Sequence, residues 1–206
     1  MSMHVTDLHR RSVEGFMARL DALEQADGAA WAAPTPCPEW DVRALVNHIV
    51  NEDLWTVPLM EGATMEEVGD RFDGDLLGDD PVTIARAACD TAIMATASGV
   101  VAGTTVHLSF GDTPADEYAY QLAADHIIHG WDLAVATGGD PTIEPELVEA
   151  LAAWFAERED LYRGAGAIGP RPEAAPDGGS ADDDAGDAQD RLLRAFGRDP
   201  SWSPPG

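Results

Sequence analysis

Gln121-Leu122-Ala123-Ala124-Asp125-His126-Ile127-Ile128-His129-Gly130-Trp131-Asp132 is the stretch on which the reading of this chain turns. It lies within Pro114 to Thr137, a segment that is apolar nearly all the way round and closes at Gly138-Gly139. That pattern predicts a long helix buried on every side. Asp125 and His129 are four residues apart, so they project from one face of the helix, one above the other. A carboxylate in apolar surroundings is costly unless it is paired or binds a metal, and little positive charge lies nearby in the sequence. Together with His48 from another helix, the pair would supply three ligands on one side of a metal, leaving positions for water or substrate. The other readings of the same residues are a buried Asp125-His129 ion pair, or His48 as a hydrogen-bonded core histidine.

Outward from this helix the chain reads as further helices. Val5 to Ala26 carries apolar residues at spacings near three and four. The prolines at 34, 36 and 38 break helicity, and Asp41 then caps a helix running to about Met60, with Trp40 placed to close over Leu45. Its inward stripe includes Val42, Leu45 and Ile49, and His48 sits on the flank of that face. Gly62 to Asp80 is a connection with a short amphipathic piece around Met65 to Phe72. Asp80-Pro81 starts a third helix, to about Ser98, and Thr104 to Phe110 alternates like a single short strand. A fifth helix spans Pro145 to about Arg163, and Ala188 to Phe196 makes a last short one, with Trp202 tying down the tail. Gly164 to Asp187, with Asp182-Asp183-Asp184 at its centre, has the composition of a mobile surface loop. Helix after helix makes an all-α bundle, divided as a helical body over 1–163 and a loop-rich extension over 164–206 packed on it.

The 206 residues suffice for one well-buried core. Every basic residue is arginine, and the formal charge of -26 repels phosphate backbones and anionic membranes. A nucleic-acid or membrane role is therefore not expected. Cys37 and Cys89 form no C-x-x-C and read as reduced thiols; the first residues lack a signal peptide's apolar run, and no segment reads as a membrane span, so a cytoplasmic protein is expected. Around the candidate site, Glu52 is a fourth ligand, a general base or simply solvent-exposed. His126 faces about 100° away from Asp125 and is expected to be partly exposed or to act behind the ligands. Asp132 could accept a ring N–H from His129. Cys37 reads as structural and His107 as a surface residue.

The segments Thr35-Pro36-Cys37-Pro38-Glu39-Trp40-Asp41-Val42-Arg43, Leu45-Val46-Asn47-His48 and His129-Gly130-Trp131-Asp132-Leu133-Ala134 resemble the metal-binding domain of the mycothiol-dependent maleylpyruvate isomerase family, related to the DinB-like bundles. Val68 to Gly78 and Gly166 to Arg171 resemble an uncharacterised metal-binding branch of it. The resemblance implies a DinB-like four-helix bundle, here with an extra C-terminal helix, a short strand and an extended C-terminal loop. It implies a divalent metal, zinc or else nickel, on His48, Asp125 and His129, and mycothiol as a thiol cofactor. The isomerase has glutamate where this chain has Asp125, and it adds a second domain that the residues after Arg163 are too few to build. Maleylpyruvate isomerisation is therefore not carried over. Two functions follow as expectations: a metalloenzyme activating water or a small thiol, of isomerase or transferase type, or a non-catalytic metal-stabilised binding or sensing module with a closed ligand shell. Such bundles can form homodimers, though no interface is legible.

Overall fold

The computed structural model describes residues 3–24, 26–172 and 188–205. The Asp182-Asp183-Asp184 run, and with it most of the expected surface loop, lies outside the described residues. In chain order the helices are α1 (Val5–Arg19), α2 (Gly28–Trp31), α3 (Val42–Met60), α4 (Met65–Val68), α5 (Pro81–Ala102), α6 (Ala115–Thr137), α7 (Pro145–Phe155), α8 (Glu159–Gly164) and α9 (Ala188–Ala195). Strands β1 (Thr105–Leu108) and β2 (Gly111–Pro114) lie between α5 and α6. The fold is all-α, DinB-like, with one small hairpin.

The long helices α1, α3, α5 and α6 form the bundle, α1 against α6 and α3 against α5. Its central layer contains Phe16, Leu20, Leu45, Ile49, Cys89 and Leu133. A second apolar cluster brings Ile127, Ile128 and Trp131 of α6 against Leu147, Leu151, Phe155, Leu192 and Leu193 of α7 and α9. Packing on both flanks explains why α6 is apolar around its circumference. The caps form as the local sequence requires: the Asp41 side chain accepts from Ala44 N–H, that of Asp80 from Thr83 N–H, and Gly138 closes α6 in the left-handed region at φ 71°.

Several boundaries differ from the periodic reading. The first helix does not run to Ala26; after Arg19 it tightens into a 3-10 turn, Leu20–Leu23, which eclipses two leucines three apart and buries both. The third helix continues past Ser98 to Ala102 and ends at Gly103. The single strand is a hairpin, because Gly111 to Pro114 pairs antiparallel with it and places Thr113 beside buried Val106. Its glycine, aspartate and proline read as a turn, and only pairing makes them a strand. The fifth helix stops at Phe155. Arg158 there donates to the Trp154 carbonyl at 2.7 Å and grips Glu117 of α6 at 2.8 and 2.9 Å, so the chain turns before α8 begins. By length and composition alone α5 would suffice to cross a bilayer, but its apolar residues serve the bundle: Ala85, Ala88, Cys89 and Ala92 are buried in the core.

α3 and α5 approach closely at Gly99, where an added Cβ would meet Met60 Sδ at 2.6 Å and Met60 Cβ at 3.1 Å. Gly99→Val is expected to lose about 1–3 kcal/mol by overpacking, read as a lower urea midpoint with unchanged slope.

Candidate metal centre

At one end of the α3–α6 contact, His48, Asp125 and His129 converge: one ligand atom from each lies within 4.8 Å of the other two. Helix geometry sets this up, since Asp125 and His129 share a face of α6 and His48 is presented by the facing α3. His48 Nε2 stands 3.8 Å from Asp125 Oδ2, too far for a hydrogen bond. Burial holds the His48 ring neutral, its pKa pushed down to about 4 against the pull of Asp125. His129 Nδ1 is 2.9 Å from Asp132 Oδ2. A carboxylate accepts only, so Nδ1 carries the proton and Nε2 is left as a donor atom. That carboxylate–histidine arrangement is the one that orients metal-binding imidazoles. Trp40 lies over both rings, with centroids 4.7 Å from His48 and 5.5 Å from His129, walling one side with an apolar plane.

The Asp125 side chain is 40% exposed, which overturns the premise that burial forces it to find a counter-charge. The fully enclosed carboxylates are instead Asp53 and Asp132. Asp132 meets the cost of enclosure through two partners: His129, and Arg198 from the segment after α9, which grips it through Nε at 2.9 Å and Nη2 at 2.8 Å. Desolvation pushes the Asp132 pKa up, but the bonds from His129 and Arg198 outweigh it and leave it lowered. Nη2 of Arg198 also donates to Cys37 Sγ at 3.2 Å, and that thiol is 3.5 Å from Asp132. Chiefly through burial, and then through Asp132, the Cys37 pKa is pushed up to about 12, so it is a neutral, structural thiol. Cys37, His129 and Asp132 are also close enough to share an ion, but the guanidinium already fills the cation's place beside Cys37 and Asp132.

Other expectations sort as follows. Asp132 accepts from His129 as anticipated; Arg198 was not anticipated, because nothing in its local sequence points 66 residues back. His126 is not exposed but buried, turned toward Asp53. Glu52 is half-buried and joins neither His48 nor Asp125 as a ligand within that group. Burial, then Asp125 and Asp53, push its pKa up to about 7. His107 is partly exposed and pairs with Asp112 at 2.7 Å.

A helical bundle with a partly open His-Asp-His cluster between facing helices defines the class. The chain belongs to the family described as mycothiol maleylpyruvate isomerase N-terminal domain, which it matches over residues 10–134. It is similar to the uncharacterized proteins MT0763 and Rv0738 of Mycobacterium tuberculosis (strains CDC 1551 / Oshkosh and H37Rv), 34% identical to each over 163 residues, covering 77% of this chain and 81% of the relative. No solved structure matches it. The donor set fits a borderline divalent ion: two imidazoles and one carboxylate, the ligand types zinc and nickel accept.

Proposed function

We propose that the protein is a metal-dependent enzyme of the thiol-using, isomerase or transferase type, with His48, Asp125 and His129 holding a divalent ion, zinc or nickel. The observation that carries this reading is the three-donor group itself, which among the described residues gathers no fourth histidine, cysteine or acid. A non-catalytic, metal-stabilised module would need a fourth side chain to close the shell. When bound, such an ion acts as a Lewis acid that lowers the pKa of water or a thiol toward neutrality.

The residues of this chain do the rest. Asp132 fixes the ring of His129, and Trp40 excludes water from one flank of both rings. The exposed edge of Asp125 leaves a way in for a small-molecule substrate or thiol such as mycothiol. Glu52, its carboxyl shifted toward neutrality mainly by burial, is placed on α3 to exchange a proton near Asp125. The chain's formal charge of -26 suits small molecules rather than nucleic acid or an anionic membrane.

Elemental analysis of protein purified without added metal tests this reading. An equivalent of zinc or nickel that disappears in both His48→Ala and His129→Ala, joined by mycothiol binding in calorimetry only when that equivalent is present, is the expected result. Metal content unchanged in both variants would sink the ligand assignment; metal without thiol binding would favour the non-catalytic module.

A further inference from the structure

A second group of donors lies wholly inside the bundle: Asp53 on α3, Cys89 on α5 and His126 on α6, at most 1% exposed. One ligand atom from each is within 4.8 Å of the other two. His126 Nδ1 is 2.8 Å from the Leu122 carbonyl, which accepts and cannot donate. Nδ1 therefore carries a proton, and in the neutral ring Nε2 presents a bare lone pair. That Nε2 stands 3.3 Å from Asp53 Oδ1, and neither atom has a hydrogen-bonding partner; nor does Asp53 Oδ2. Two acceptors facing one another in a dry core are strongly unfavourable unless a proton or a metal cation lies between them.

Cys89 Sγ supplies the third donor from a third helix, and the second unpartnered oxygen of Asp53 is available as a fourth. A tetrahedral zinc with bonds of about 2.0–2.3 Å sets its ligand atoms roughly 3.3–3.8 Å apart, which the Nε2–Oδ1 separation matches. A ring held by a backbone carbonyl through its other nitrogen is how proteins orient a metal-binding histidine. Thiolate and carboxylate together balance a divalent charge, and the sulfur selects zinc-like ions over magnesium or calcium. We propose that Asp53, Cys89 and His126 form a second, buried site for a zinc-class ion, one that ties α3, α5 and α6 together. The inference stands independently of the centre at His48.

The test uses the full chain with His48→Ala and His129→Ala, which dismantle the first centre, loaded with cobalt(II) as the probe. The expected result is about one equivalent of cobalt with a sulfur-to-cobalt charge-transfer band, lost on adding Cys89→Ala and kept on adding Cys37→Ser. Absence of the band, or its loss with Cys37→Ser instead, would overturn the proposal and leave Asp53 and His126 sharing a proton. Should Cys89→Ala fail to fold, zinc X-ray absorption on the Cys37→Ser chain decides: a sulfur neighbour supports the site, and a shell of nitrogen and oxygen alone refutes it.

Discussion

Arg198→Ala is expected to lose about 3–5 kcal/mol of stability, a large fraction of the roughly 5–15 kcal/mol a domain of ordinary stability has. The reason is the environment of its partner. Asp132 is fully enclosed, and the Arg198 side chain is only 15% exposed, so removing the guanidinium leaves a buried carboxylate with only the His129 ring N–H and the weak Cys37 thiol as donors. Water cannot reach it to compensate. The same substitution frees the segment after α9 from α6 and loosens the acceptor that fixes His129, so metal affinity at the first centre should fall about 10–100-fold. Urea titration reads the first effect and metal titration the second. Adding Asp132→Asn to Arg198→Ala should restore part of the stability, because no uncompensated charge remains; affinity should stay low, because the amide is a poorer acceptor for the His129 N–H. A stability loss under about 1 kcal/mol would mean that the pair does not anchor the segment.

Asp125→Ala separates binding from folding in the opposite sense. The side chain is 40% exposed, and its only ion-pair neighbour among the described residues, His48, is 3.8 Å away, so the metal-free variant should be as stable as the metal-free native protein within about 0.5 kcal/mol. With metal at about a hundred times the first centre's dissociation constant, the native protein should gain about 2.7 kcal/mol more than the variant, which keeps only the contribution of the buried Asp53-Cys89-His126 group. Asp125→Glu, which restores a carboxylate one methylene longer, should recover most of that gain. Thermal unfolding with and without chelator measures all three. Equal metal stabilisation of native protein and Asp125→Ala would remove Asp125 from the ligand set.

The contrast between Asp125 and Asp53 shows how far local sequence reaches. Asp125 drew notice as a carboxylate inside an apolar helix, and the spacing to His129 correctly placed both on one face. Whether that face is covered depends on which helices pack there, and Asp125 turned out to sit at the rim. Asp53 gave no comparable signal, since α3 reads as amphipathic and an acid five residues beyond His48 looks like part of its polar side; the structure encloses it completely.

What the sequence alone determined is what short-range physics controls. Helix starts at Asp41 and Asp80-Pro81, the stop at Gly138, the prolines that interrupt 34–38, and the shared face of Asp125 and His129 depend on residues within about a turn of one another. What only tertiary structure decided are pairings between distant segments: Arg198 with Asp132 across 66 residues, Cys37 with Asp132 across 95, the hairpin partner of β1, the break after Phe155 set by Glu117, and the meeting of Asp53, Cys89 and His126. Those depend on the order in which helices stack and on how each is rotated about its axis. That arrangement is fixed by the summed burial of several apolar faces at once, so no single window of sequence carries it.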